Sequence, residues 1–346
     1  MRAARLHGYD EDLKGEEFLR LEEVPSPSID GPDEVVVRVG GAGLCRTDLH
    51  VIQGLWEDAL VVDPPYILGH ENAGWVEEVG SAVRHVVTGD AVLVLPGLSD
   101  GVCPACRRGT DNLCESLVWI GIQRDGGFAE LLKARERNMI PLPEGMEPSA
   151  VAPYVDAGLT AYHAAKRAAR LLEPGGTVVV IGVGGLGHVG VQALRALSPV
   201  RIVAAEISAA ARCLAQDLGV DELIDGNRSL VDQVNELTRG AGADAVLDFV
   251  AEGDVPAQAM AMLRPGGAYL VVGYGGRLDV PTMEFLTEKH VIGNVGGTSA
   301  EMIELLSLAE QGKVRLETTE YPLDRINEAI ADLRDLRIRG RAVLVP

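Results

Sequence analysis

The sequence predicts a two-domain α/β protein, one domain mainly β and the other a doubly wound parallel sheet. Three observations carry that expectation. The first 150 residues read as short β-rich runs punctuated by glycine. From about residue 158, apolar strands alternate with helical stretches. A chain of 346 residues, 47% of them hydrophobic, also exceeds what one core ordinarily supports.

The β-rich part contains DEVVVRVGGAGL at 33–44, GWVEEVGSAV at 74–83 and GDAVLVLPG at 89–97, each alternating or β-branched and bounded by turn residues. The alternating part runs TVVVIG, GLGHVGVQALRAL, RIVAAE, SAAARCLAQDLG, ADAVLDFV and AYLVVGYG, the rhythm of a parallel sheet with helices on both faces. Near 296 that rhythm stops. Helical EMIELLSLAEQGK and the final strand RAVLVP read as a return to the first domain, so residues 1–155 and 296–346 are assigned to one domain and 156–295 to the other.

The glycine motif has its full context. Strand TVVVIG ends at Gly182, and Gly182, Gly184 and Gly187 form G-x-G-x-x-G where a helix begins, with Gly185 and Leu186 completing the turn. The first glycine allows a tight turn, the second lets the backbone approach a pyrophosphate, and the third lets helix and strand pack closely. Phosphate then meets the positive end of the helix. Glu206 ends the next strand, placed to accept hydrogen bonds from adenosine ribose hydroxyls and to repel a 2′-phosphate, so NAD is expected over NADP.

Two further groups suit metal ions. Cys45 in GLCRTDLH, His70 in ILGHENAG and Asp156 in APYVDAGLTAYHA offer thiolate, imidazole and carboxylate, the donors zinc accepts, and three protein ligands leave a fourth position open for substrate. Asp156 has a plainer alternative as the cap of the helix that follows. Cys103, Cys106 and Cys114 need a fourth ligand to close a structural tetrahedron, and Asp100 extends the series to D-x2-C-x2-C-x7-C. Cys213, in a helical stretch, reads as a small buried hydrophobe.

A formal charge of -20 argues against nucleic-acid and anionic-membrane partners, which need basic footprints. Five clustered cysteines suit metal binding in a reducing compartment better than a disulfide framework. With no signal-like or membrane-spanning stretch, the expected location is the cytoplasm.

GLCRTDLH, GHE, the cysteine segment, IGVGGLG and the closing GRAVLVP together resemble the zinc-dependent medium-chain alcohol dehydrogenases, over essentially the whole chain. The resemblance implies a GroES-like mainly-β catalytic domain, a Rossmann cofactor domain, NAD, two zinc ions per chain (one catalytic, one structural) and a homodimer or homotetramer paired near YLVVGYGG and VIGNVGG. It makes Cys45 and His70 catalytic zinc ligands and Glu71 the acid beside the metal. Thr47 becomes the hydroxyl that binds the substrate oxygen and His50 the outer end of a proton relay. Arg46 and Arg341 become pyrophosphate contacts. Many members carry cysteine where Asp156 and Asp100 stand, although acidic replacements occur among microbial relatives. Glu71, next to His70, is the rival third ligand, as in polyol-type relatives.

The implied chemistry is reversible oxidation of primary and secondary alcohols to aldehydes and ketones. Zinc acidifies the alcohol, a proton leaves through Thr47, the nicotinamide ribose and His50, and hydride passes to nicotinamide. Asp48 is placed to orient the ligands through a hydrogen bond. Trp56 and Trp119 are candidate pocket walls, with Asn294 and Val295 near the domain junction, and Gly97 leaves room for bulkier alcohols and ketones. A polyol or sugar dehydrogenase and a non-catalytic dinucleotide sensor are the alternatives; the sensor would have lost ligand or relay residues, which are all present.

Overall fold

A computed structural model describes residues 1–55 and 63–346. The chain divides into a first unit of Met1–Ala157, Thr298–Ile303 and Leu316–Pro346 and a second of Gly158–Gly297 and Glu304–Arg315. The domain limits expected from sequence shift at 156–157, 296–297 and 304–315. Asp156 belongs to the first unit, because it ends a turn of helix (Ala152–Val155) that packs on first-unit strands. Glu304–Arg315 joins the second: Tyr162 and Lys166 both donate hydrogen bonds to the Glu304 carboxylate, and Gln192 binds the backbone of Arg315.

In the first unit, a seven-stranded sheet among the described residues is built around the long strand Glu34–Leu44. Its order is Met139–Pro141, Ala91–Val94, Glu71–Val79, Glu34–Leu44, Arg341–Val345 and Thr318–Pro322, with Leu131–Arg135 also paired to Glu34–Leu44. Ala342 pairs with Leu44, so the C-terminal strand does return to the first unit. A smaller sheet pairs Arg2–Leu6 with Arg20–Glu23 and Tyr66–Ile67. Leu6, Leu19, Leu44, Ile52, Leu68, Phe128 and Leu132 fill the core between them.

The second unit holds a parallel sheet ordered Glu222–Asp225, Arg201–Glu206, Thr177–Ile181, Ala243–Asp248, Leu263–Val271, His290–Gly293. Val178, Val179 and Val180 are wholly buried, as a strand covered on both faces requires. The chain leaves Thr177–Ile181 for one side of the sheet and later resumes on the other at Ala243–Asp248. That reversal is the switch point where doubly wound sheets take ligands, outside the strand C-termini.

Two expectations are corrected here. Cys213 is exposed: in helix Ala209–Asp217 the buried face is Ala211, Leu214 and Ala215, and residue 213 lies off it. Leu263–Val271 is an interior strand, which leaves His290–Gly293 as the edge on that side. No helix among the described residues is long and apolar enough to cross a membrane.

Asn327 is one of the side chains that fasten the N-terminal segment. Asn327, on helix Ile326–Arg334, accepts hydrogen bonds from the Phe18 and Leu19 amides at 2.8 and 3.0 Å and donates to the Leu19 carbonyl at 2.8 Å. Asn327→Ala orphans three backbone groups and is expected to cost about 2–3 kcal/mol. Urea denaturation would read this, and a loss under about 0.5 kcal/mol would show the clamp to be idle.

Candidate active site

Strand Glu34–Leu44 delivers Cys45 to the N-cap of helix Arg46–Ile52. Three residues on, the Asp48 carboxylate turns back and accepts the Cys45 amide at 2.8 Å, while its other oxygen lies 3.2 Å from His70 Nδ1. Asp48 is completely buried, so one carboxylate fixes both the cysteine backbone and the imidazole, and leaves His70 Nε2 facing inward. There it meets Asp156: Oδ2 is 3.4 Å from Nε2 and 3.8 Å from Cys45 Sγ. Bonds of about 2.0–2.3 Å to a tetrahedral ion put the ligand atoms about 3.3–3.8 Å apart. These donors therefore stand at the spacing of a zinc ligand set.

Glu71 shares the cluster, in which Cys45, His70, Glu71 and Asp156 offer donor atoms within 4.8 Å of one another. Its carboxylate is already engaged. Arg341 Nε donates to Oε2 at 2.9 Å, Arg341 Nη2 donates to Oε1, and the Ala157 amide also donates to Oε1 at 3.1 Å. Gly43 makes room for this pair, since a Cβ there would lie 2.0 Å from Glu71 Oε2. Of the two candidate third ligands, Asp156 has one oxygen 3.4 Å from His70 Nε2 and 3.8 Å from Cys45 Sγ, whereas both Glu71 oxygens accept from Arg341. Arg341, expected at a pyrophosphate, is 3% exposed and held by Glu71, with Nη2 4.0 Å from Asp156. Sequence reading missed this pairing across 270 positions. Burial opposes a charge on His70, but Asp48 and Asp156 overcome it and hold the imidazolium well above its ordinary range. Such an electron-rich pocket favours a cation. Arg46 is exposed, Thr47 half-buried and His50 buried along the same short helix.

Asp100, Cys103, Cys106 and Cys114 form a second cluster, also within 4.8 Å. Cys103 caps helix Pro104–Arg107, and its sulfur lies 3.9 Å from that of Cys114. Asp100 Oδ1 accepts the Cys103 and Val102 amides, which hold the carboxyl well below its usual range. Burial pushes the Cys106 thiol up to about 12, a cost that a bound cation would reverse. Three thiols and one carboxylate suit a closed tetrahedral ion.

In the second unit the glycines behave as their motif requires. Gly182 has φ +81° and its missing Cβ would lie 2.7 Å from Val250 Cγ2; a Cβ on Gly187 would lie 1.8 Å from the Gly182 carbonyl. At Gly184 a Cβ would meet nothing within 4 Å, so this backbone faces open space. Gly185 and Leu186 turn the chain into helix Gly187–Leu197. Glu206 is 8% exposed: Oε2 accepts the Val183 amide at 2.7 Å, and Oε1 accepts those of Ile207 and Ser208. One lone pair on Oε2 remains for a hydroxyl.

Among the pocket candidates, Trp119 pairs with Gly97 across a two-stranded ribbon, and a Cβ on Gly97 would press on Leu117 at 3.2 Å. Asn294 is scaffold: it donates to the Val271 and Ile292 carbonyls and accepts from Arg167. Trp56 lies outside the described residues.

Two family models match the chain, the alcohol dehydrogenase GroES-like domain over residues 31–144 and the zinc-binding dehydrogenase domain over 185–311. An NAD-dependent alcohol dehydrogenase of Sulfurisphaera tokodaii is 34% identical with both chains fully covered. A D-arabinose 1-dehydrogenase (NADP(+)) of Saccharolobus solfataricus is also 34% identical, over 96% of each chain. The crystal structure of the alcohol dehydrogenase from the hyperthermophilic archaeon Aeropyrum pernix is 42% identical, fully covered both ways, and superposes with a TM-score of 0.95. With donor sets and glycine loop in place and the likeness running end to end, the chain belongs to the zinc-dependent medium-chain alcohol dehydrogenase family.

Proposed function

We propose that this chain is an NAD-dependent zinc alcohol dehydrogenase that interconverts primary or secondary alcohols with aldehydes or ketones. The observation that carries the reading is that Asp156 Oδ2 stands 3.4 Å from His70 Nε2 and 3.8 Å from Cys45 Sγ, the separations of ligand atoms on one tetrahedral ion. Those three would hold the catalytic zinc, and Asp100, Cys103, Cys106 and Cys114 a structural one. Bound zinc supplies Lewis acidity that makes an alcohol hydroxyl acidic near neutral pH, and NAD supplies the hydride acceptor.

The protein's part is placement and proton handling. Asp48 keeps His70 in one orientation, and Arg341 neutralises Glu71 so that the carboxylate does not compete for the metal. The Thr47 hydroxyl orients the substrate oxygen, and the His50 imidazole, on the same helix, hands the substrate's proton on. Gly184 and the start of helix Gly187–Leu197 would hold the pyrophosphate, and Glu206 the adenosine ribose. The small Gly97 beside Trp119 favours substrates larger than ethanol.

Free cysteines and metal-type clusters support a cytoplasmic home. The edge strand His290–Gly293, with exposed Val291 on it and Met283 and Leu286 nearby in sequence at 70% and 74% exposure, supports a homodimer paired through that edge.

The decisive assay is NADH appearance with primary, secondary and polyhydric alcohols, using protein prepared without chelator. Turnover of secondary alcohols is expected, and His50→Ala should lower it about tenfold or more near pH 7. Turnover of polyols alone would favour the sugar-dehydrogenase reading, to which the arabinose-oxidising relative lends weight; silence with every alcohol would sink the enzyme reading.

Metal analysis should find two zinc ions per chain. Cys114→Ser is expected to leave one, whereas Asp48→Ala should spare the cysteine cluster and weaken retention at the other site by about 10–100-fold. A single ion per wild-type chain would overturn the two-site assignment.

Light scattering should show a dimer or larger species for the wild type and a monomer for Val291→Lys; an unchanged mass would exclude this edge as the interface.

A further inference from the structure

Among the described residues Asp248 has no part in either metal cluster and no side-chain hydrogen bond to the glycine motif, yet it is wholly buried at the C-terminal end of Ala243–Asp248, the strand beside the switch point. Its Oδ1 accepts the Val250 amide at 2.9 Å and the Ala251 amide at 2.8 Å, and its Oδ2 accepts the Tyr269 hydroxyl at 2.8 Å. Its carbonyl receives the Val272 and Gly273 amides. Burial raises the carboxyl's pKa while the Ala251 and Val250 amides pull it down. A carboxylate is a costly residue to bury unless its position matters.

Residues 249–251, which that carboxylate pins, form the surface against which the glycine loop rests. Phe249 is hydrogen-bonded through its amide to the Ile181 carbonyl, and its ring lies where a Cβ on Gly190 would come within 2.7 Å. Val250 sets the wall at Gly182, 2.7 Å from that residue's missing Cβ. Ala251 is held at φ +49°, a left-handed conformation that alanine adopts only under constraint, and its carbonyl accepts the Gly276 amide at 2.7 Å. If the turn moves, the first glycine of the motif and the helix behind it lose their stop.

We propose that Asp248, oriented by Tyr269, is a positioning residue for dinucleotide binding: it sets the 249–251 turn as the wedge that holds the glycine loop in its binding shape. This rests on the dinucleotide reading above. Asn at 248 keeps an acceptor for the two amides, and its amino group can donate to the tyrosine oxygen, so Asp248→Asn should preserve most of the function that Asp248→Ala removes.

The test is NADH titration by fluorescence on zinc-loaded protein, with KM for NAD, KM for alcohol, kcat and melting temperature measured beside it. Asp248→Ala is expected to raise the Kd for NADH and the KM for NAD by about tenfold or more, with kcat at saturating NAD and the KM for alcohol little changed. Tyr269→Phe should raise the Kd by about two- to fivefold, and Asp248→Asn should stay within about threefold of wild type. Asn327→Ala, destabilised in the first unit, serves as the control whose melting temperature falls without any change in Kd. If Asp248→Ala, or Tyr269→Phe should the former not fold, binds NADH as wild type does while melting earlier, Asp248 is merely structural and the proposal fails. A wild type that binds no NADH would instead overturn the dinucleotide reading itself.

Discussion

The constraint on which the first unit turns is the burial of charge. Asp48, His70, Glu71 and Arg341 are each at most 3% exposed and lie within one chain of contacts with Cys45 and Asp156. Left unpaired, groups of this kind cost more than a domain's whole margin of stability. The structure resolves most of the charge internally: Arg341 answers Glu71, and Asp48 is bound by an amide and an imidazole. Beside them a thiol, a ring nitrogen and a carboxylate oxygen come together, for which a divalent cation has the right sign and spacing. The long strand Glu34–Leu44, the C-terminal strand beside it and the turn before Asp156 are arranged so that these groups meet.

The second unit handles charge with main chain instead. Its glycine loop presents bare backbone at Gly184 and the start of a helix, and Glu206 at the next strand end is itself steadied by three amides. Shape is held there by close packing, in which Phe249 and Val250 stand where side chains on the glycines would have been. The two units thus prepare for their ligands differently, one with ionisable side chains and the other with dipoles and absences of Cβ.

Much of this was legible in the sequence because the signals are local. Cys45 and Asp48 lie in one short string, the cysteine lobe in another, and each glycine's task follows from its place in the motif. The parallel sheet followed from buried valine runs alternating with helices. What escaped was set by tertiary closure. Nothing near Arg341 reveals that it reaches back across the chain to Glu71, and Asp248 and Tyr269 read as ordinary strand residues until the sheet brings them together. Cys213 was misjudged because residue type says little about which side of a short amphipathic helix faces the core. The domain limits slipped where helix Ser299–Glu310 begins with one unit and ends with the other.

Asp156 and Asp100 each put oxygen where a cysteine would offer sulfur. Thiolates attract soft ions such as copper(I) and are the first ligand atoms lost to peroxide, climbing from sulfenic to irreversible sulfinic and sulfonic acids. A carboxylate has no such ladder. With one sulfur in the first cluster and three in the second, this chain has fewer atoms that oxidant or thiophilic metal can disable, at the expense of weaker electron donation to whatever ion it holds.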